Sequence, residues 1–251
     1  MKGNLRIGII GGSGMEKAIE GEKYIIETPY GDVFTKIGFI SNEKVIFIPR
    51  HGEKHEKPPH KVNYRGNIWA LKSMGVERII ATNAVGGIRD GLKPGDLLLP
   101  HDFIDFTKSR FTTFYDDETI HIDMSKPYCQ ELREIIFEKG KSKQIKIWKD
   151  GVYACMEGPR FETPSEIRML RILGADVVGM TGIPEVNLAR EMKMCYATIC
   201  IITNYAAGMQ ERISHEEVNE IMKNRIKIIM EIINEVIPEI PLKRERCDCE
   251  K

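Results

Sequence analysis

Residues 157–163 read Glu-Gly-Pro-Arg-Phe-Glu-Thr, a stretch too broken for the interior of a helix or strand. It sets an aromatic face, Phe161, beside a carboxylate, Glu162. Such a pair suits a flat heterocycle, with Phe161 packed on the ring and Glu162 accepting a hydrogen bond from its edge. A second polar group of the right kind sits in Thr203-Asn204-Tyr205-Ala206-Ala207-Gly208, at the end of an apolar run. A 6-oxopurine presents an N1–H donor and an O6 acceptor; a 6-aminopurine reverses both. A carboxylate only accepts, so Glu162 matches N1–H and the amino group of guanine, while Asn204 can donate to O6 and accept from N7–H. Ala206 brings no carboxylate to receive an exocyclic amino group. On this reading the ring is a 6-oxopurine. The other reading pairs Glu162 with Arg160 or Arg168 and lets Asn204 cap a turn; the residues alone leave both open.

A second set of residues suits a small anion. Gly11-Gly12-Ser13-Gly14 follows an apolar run, and its backbone N–H groups and the Ser13 hydroxyl can face an oxyanion. It is no dinucleotide fingerprint, because Lys17 stands where the last glycine belongs, and no P-loop, for want of Gly-Lys-Ser/Thr. Arg50 offers a fork of donors matched to a tetrahedral anion, with His51 beside it. Against this, Lys54, His55, Lys57, His60 and Lys61 nearby also fit a solvated basic loop. Thr181 adds a hydroxyl donor, and Ala84, in a glycine-rich turn, a backbone N–H. No Asp/Glu/His cluster has metal-ligand spacing, so no metal is expected at this site.

The elements that must hold these groups are short strands alternating with helices. Leu5–Ile10, Val45–Pro49, Arg78–Thr82, Leu97–Pro100, Asp176–Met180 and Tyr196–Thr203 read as strands. Helices are predicted over Asn63–Met74, Glu131–Gly140, Ser165–Leu173 and Ser214–Val236, the last with Ser214 as N-cap and Glu216 and Glu217 at its positive end. Alternation without repeats or linkers predicts one α/β domain over residues 1–241, followed by a tail at 242–251. Five strand ends carry GGSG, RHG, TNAVGG, GMTG and TNYAAG. Ligands of α/β sheets bind outside strand ends, so five such loops can line one pocket.

The 251 residues are 42% hydrophobic and carry 37 basic and 37 acidic side chains. This is enough for one large core, and zero formal charge gives no bulk pull toward nucleic acid or a membrane surface. No run of eighteen apolar residues and no signal-peptide pattern occurs, so a cytoplasmic protein is expected. Abundant Ile, Lys and Glu with three Gln lean toward a thermophile, where intracellular disulfides occur. The six cysteines, 129, 155, 195, 200, 247 and 249, therefore have three possible fates: disulfides, free thiols or metal ligation. Cys247-Asp248-Cys249 is too short for a zinc site by itself.

Taken in order, IGIIGGSG, RHGEKH, KVNYRGNIWALK, ATNAVGGIRD, PGD, EGPRFET, GADVVGMTGIPE, CYATICIITNYAAG and SHEEV resemble the nucleoside phosphorylases, in the branch with methylthioadenosine phosphorylases and trimeric purine nucleoside phosphorylases. The resemblance spans nearly the whole chain. It implies a mixed, twisted, partly barrel-like sheet flanked by helices, and a homotrimer or a dimer of trimers. It implies phosphorolysis of a nucleoside, with inorganic phosphate as co-substrate and no cofactor. Ser13, Arg50, His51, Ala84 and Thr181 would hold phosphate; Phe161 would stack on the base, Met180 would meet the ribose, and Glu162 and Asn204 would hold the purine edge and serve catalysis. His121, in IHIDM, would be lent to a neighbouring subunit's site.

Departures from the methylthioadenosine branch sharpen the expectation. That branch carries Asp where this chain has Asn204 and Ala206, and a small hydroxyl residue at Glu162; all three changes turn away from adenine. His215 stands where that branch has an apolar residue facing the methylthio group, which favours inosine and guanosine over 5′-methylthioinosine. A threonine of relatives is replaced by Asn83. The expected activity is therefore 6-oxopurine nucleoside phosphorylase, with methylthioinosine phosphorylase as the alternative, ahead of a methylthioadenosine phosphorylase, a nucleoside-binding protein or a hydrolase. The resemblance also implies Cys129–Cys200 and Cys247–Cys249 disulfides.

Overall fold

The computed structural model describes residues 6–15, 18–143 and 145–250. Leu5 and Lys17, invoked above, lie outside them. In chain order the elements are β1 (Ile7–Gly11), β2 (Glu22–Ile26), β3 (Val33–Ile40), β4 (Glu43–Pro49), α1 (Tyr64–Ser73), β5 (Arg78–Gly87), β6 (Leu97–Leu98), β7 (Asp102–Phe106) and α2 (Gln130–Lys141). They continue with β8 (Ile147–Trp148), β9 (Val152–Met156), α3 (Pro164–Ile172), β10 (Val177–Gly179), α4 (Glu185–Glu191), β11 (Cys195–Tyr205) and α5 (His215–Val236).

The helix starts follow from their caps. Asn63 Oδ1 accepts from Gly66 N at 2.9 Å to open α1, and Ser214 Oγ accepts from Glu217 N at 3.1 Å to open α5. For α3 the cap is Thr163, whose hydroxyl accepts from Glu166 N while the Glu166 carboxylate accepts from Thr163 N. Helix α5 turns Val218, Met222, Ile229, Ile232, Ile233 and Val236 inward at helical spacing.

All strands join one mixed sheet, centred on β5 and β11, which run parallel. Strand alternation along β11 sets two large cores on opposite faces, and a smaller third cluster joins Ile167 and Leu170 of α3 to Ala154 and Val178. Tyr196, Cys200 and Ile202 of β11 face one core, covered by α1 and α4; Cys195, Ala197, Ile199 and Ile201 face the other, covered by α2 and α5. The sheet is not closed into a barrel. It forks along one edge of β5: β1 pairs in parallel with Arg78–Ala81, and β10 pairs antiparallel with Gly86–Gly87. Between them Thr82–Val85 has β11 on one side and, among the described residues, no strand on the other. That gap positions the site. Among the described residues, no helix is long and apolar enough to cross a membrane.

Candidate active site

A cavity of about 380 Å³ occupies the gap. Ser13 comes from the end of β1, Arg50 and His51 from the end of β4, Ala84 from mid-β5, Met180 and Thr181 from beyond β10, and Asn204 and Ala206 from the end of β11. Phe161, Glu162 and His215 complete the wall. Every residue assigned to phosphate or nucleoside binding in the sequence lines this cavity except His121, which is exposed on the segment between β7 and α2.

Ala84 is not in a turn. It lies inside β5, opposite Ile201 of β11. The glycines that suggested a turn continue the strand to Gly87, where β10 docks. Alternate residues of a strand point their peptide groups to the same side. Thr82 O faces the gap, where Arg50 Nη1 donates to it at 2.7 Å, so Ala84 N–H faces the gap too. The backbone donor expected from a turn is supplied by an unpaired strand edge.

Arg50 is buried and pinned. Its Nε and Nη2 donate to Glu185 Oε2 and Oε1 at 2.8 and 2.6 Å, and Tyr196 Oη donates to the same Oε1 at 2.6 Å. Burial opposes the guanidinium charge, but Glu185 more than restores it, so the Arg50 pKa is held above its ordinary value. The fork is thus fixed as a permanent cation at the cavity wall. Glu185 and Tyr196 had drawn no attention in the sequence. An acid in the first turn of α4 among buried Val186, Leu188 and Ala189 was the available signal.

The other anion-side groups are equally constrained. Gly12 N–H goes to Thr82 Oγ1 at 3.0 Å, and Gly12 and Ser13 both line the cavity. A side chain at Gly12 would lie 2.6 Å from Thr82 O, so the glycine is required by close approach. His51 Nδ1 meets Lys57 O at 2.8 Å, and since a carbonyl only accepts, that nitrogen carries the proton. Its ring stacks with His55 at 4.6 Å, and His55 lies 6.4 Å from His215, a row of imidazoles along one wall. Asn83 is buried behind the wall. Its Oδ1 accepts from Thr181 Oγ1 at 2.8 Å and its Nδ2 donates to Thr198 Oγ1 at 2.7 Å. The residue that replaces threonine therefore orients Thr181 from behind. With the Thr181 proton on Asn83, that hydroxyl faces the cavity with lone pairs; turning the Asn83 amide over would reverse both bonds and release the proton.

On the ring side, the alternative partners of Glu162 are taken. Arg160 donates twice to Glu166, at 2.8 and 2.7 Å, and Arg168 donates to Ser165. Glu162 Oε1 is buried without a hydrogen-bond partner, and burial pushes the carboxyl up to about 7. Asn204 is 4% exposed and follows a bulge in β11, where the register with β5 shifts between Ile202 and Asn204. Its Nδ2 donates to Tyr205 O at 2.8 Å and its Oδ1 accepts from Thr203 Oγ1 at 2.9 Å. The Tyr205 carbonyl fixes which way the amide points. One N–H and one lone pair remain for a ligand. Phe161 is 40% exposed at the mouth.

The implied Cys129–Cys200 and Cys247–Cys249 disulfides are absent: all six cysteines are thiols. Cys200 faces the core opposite to Cys129, because it stands five residues from Cys195 on one strand, an odd step that reverses the face.

A model of the phosphorylase superfamily matches residues 6–238. A 6-oxopurine nucleoside phosphorylase from Pyrococcus furiosus is 48% identical, over 97% of this chain and 96% of its own length. A probable S-methyl-5′-thioinosine phosphorylase from Methanopyrus kandleri is 47% identical, over 97% and 95%. Among solved structures, a methylthioadenosine phosphorylase from Schistosoma mansoni in complex with adenine superposes with a TM-score of 0.90 at 31% identity, covering 96% of this chain and 93% of that one. The forked sheet and the cavity in its gap are thus set in a chain that belongs to the phosphorylase superfamily, among its nucleoside phosphorylases.

Proposed function

We propose that this protein is a purine nucleoside phosphorylase of the 6-oxopurine type. It splits inosine and guanosine reversibly into free base and ribose 1-phosphate, in cytoplasmic purine salvage. The observation that carries this reading is the buried, unpartnered Glu162 oxygen beside Asn204, with Ala206 in place of an acid. Phosphate lies against Ser13, Arg50, His51, Ala84 N–H and Thr181, and needs no metal or organic cofactor to act as nucleophile. It attacks C1′ as the glycosidic bond breaks, and its charge stabilises the cation growing on the sugar. His51 meets it either as an imidazolium donating from Nε2 or as a neutral ring accepting a phosphate proton. Glu162 and Asn204 hold the departing base as negative charge grows on it and N7 gains a proton. Met180 borders the ribose and Phe161 closes over the base. His121 serves the cavity of a neighbouring subunit in a homotrimer or hexamer.

The test follows free-base release from inosine, guanosine, adenosine, methylthioadenosine and methylthioinosine, with and without phosphate. Release confined to the 6-oxopurines and dependent on phosphate is expected. Release without phosphate would make the protein a hydrolase, no release a binding protein, and cleavage of adenine compounds would overturn the edge assignment. Methylthioinosine phosphorylase is the second reading. Its base is the same, so only the 5′ end separates the two, and there both His215 and the apolar Val218 line the cavity. With His215 as the 5′-hydroxyl contact, His215→Ala lowers the inosine to methylthioinosine ratio of kcat/KM.

The Glu162 environment also predicts a pH dependence. Only the carboxylate accepts from N1–H without competition, and burial raises this group to about 7. In the ligand-free protein, kcat/KM for inosine should therefore fall by about tenfold per pH unit below that value. Glu162→Gln removes this limb while lowering the plateau. The linkage runs the opposite way for folding: a raised carboxyl favours the fold when protonated, a contribution complete below the ordinary glutamate pKa and lost as pH rises through about 7. A profile identical in Glu162→Gln would assign the limb to another group.

A further inference from the structure

At the start of β11, away from the end that lines the cavity, four cysteines converge on one point. Cys129 caps the N-terminus of α2, Cys195 opens β11, and Cys247 and Cys249 come from the tail. Their sulfur atoms all lie within 4.8 Å of one another, and Cys195 and Cys247 stand 3.6 Å apart. A zinc ion bound at about 2.3 Å by four thiolates spaces its ligands about 3.8 Å apart along the edges of a tetrahedron. Cys129, Cys195 and Cys249 are buried and Cys247 is half-buried, so the point they enclose is shielded. We propose that Cys129, Cys195, Cys247 and Cys249 form a structural zinc site that fastens the C-terminal tail to the core.

Two features support one metal centre. The four sulfurs are gathered about one centre rather than joined in two pairs. A buried cation attends them: Arg78 Nη1 donates to Cys195 Sγ at 3.2 Å, and Arg78 is fully buried. A zinc tetrathiolate carries two negative charges, which this guanidinium, shared with Glu131, partly offsets. Zinc binding releases four thiol protons to solvent, counted from four neutral thiols, and needs no oxidant.

The tail is already guided to this point. Arg78 Nη2 donates to Pro241 O and Lys243 O at 3.0 and 3.1 Å, and Arg246 N donates to Glu131 Oε1 at 3.3 Å. Glu131 in turn lies 3.3 Å from Arg78. Two ligands one residue apart cannot close a tetrahedron, which is why the tail read as too short by itself. The fold adds one ligand from a helix cap and one from a strand start, both more than fifty residues away in sequence.

The test uses the full chain made in zinc-supplemented cells, alkylated in denaturant without reductant at lysis, and in parallel purified natively without chelator. About one zinc per chain by elemental analysis, with all six cysteines alkylated, is expected. Cobalt exchanged into the site should show the ligand-field bands of a tetrahedral tetrathiolate. Cys247→Ser with Cys249→Ser should reduce bound zinc at least tenfold while phosphorolysis at moderate temperature persists. Its melting temperature should no longer respond to chelator, as the parent's should. Fewer than six alkylated cysteines would mean disulfides and overturn the proposal. So would six labels on a folded protein that binds no added zinc, or a double variant that keeps its metal.

Discussion

Asn204→Asp together with Ala206→Asp is expected to shift the inosine to adenosine ratio of kcat/KM toward adenosine by about 10²-fold or more. The cause lies in which groups are left unpaired. Asn204 has one N–H spare after its bond to Tyr205 O, and a 6-oxopurine uses it at O6. An aspartate there loses that donor and sets a carboxylate against O6, so inosine meets two acceptors at one edge. A second carboxylate at position 206 gives an exocyclic amino group the acceptor that the native cavity lacks. Each buried unpaired polar group costs about 1–3 kcal/mol, and two in opposite senses account for the expected shift. Glu162 still opposes N1 of adenine, so the variant is expected to gain adenosine without reaching the native rate on inosine. Steady-state kinetics on both nucleosides decide the matter. An unchanged ratio would show that the base edge does not face residues 204 and 206.

The same cavity marks how far sequence reasoning reached. Strand ends were readable because buried apolar runs stop abruptly at glycines and polar residues, and four of the five expected do meet in one place. The Asn83–Gly87 stretch misled because glycines inside a strand look like a turn until the docking strand is known; Gly86 and Gly87 are where β10 lies against β5. Strand β2 is hard to see in the sequence because its apolar run, Tyr24-Ile25-Ile26, is only three residues long. The freedom of Glu162 depended on where Arg160 goes. Here a local signal existed: Thr163-Pro164-Ser165-Glu166 has the capping-box spacing, which places Glu166 at a helix start within reach of Arg160. The thiol arrangement was half legible. Parity along one strand already separates Cys195 from Cys200, but nothing local tells which of them a tail 50 residues further on will meet.

What no local pattern reveals is the ion pair between residues 50 and 185, and it carries the second large prediction. Glu185→Gln is expected to destabilise the protein by about 3–5 kcal/mol, because it strands a fully buried guanidinium. For a chain of this size that lowers the melting temperature on the order of 10 °C. Glu185 touches Arg50 rather than substrate, so it is a positioning residue. In the variant the guanidinium fork loses its fixed orientation, and KM for phosphate should rise more than KM for inosine. Stability and function can then be separated. Arg50→Met with Glu185→Leu and Tyr196→Phe replaces the three buried side chains by apolar groups of similar size, leaving no charge or hydroxyl unpaired and only the Thr82 carbonyl, which faces the gap, without its donor. Such a replacement is often neutral or stabilising, so the triple variant should regain most of the lost melting temperature. It should not regain phosphorolysis, since the cation facing the gap is gone. Chemical denaturation with phosphate-dependent kinetics on both variants reads the two effects independently. A triple variant that restored activity along with stability would remove Arg50 from the phosphate site. A single variant with unchanged KM for phosphate would show that the pair serves the fold alone.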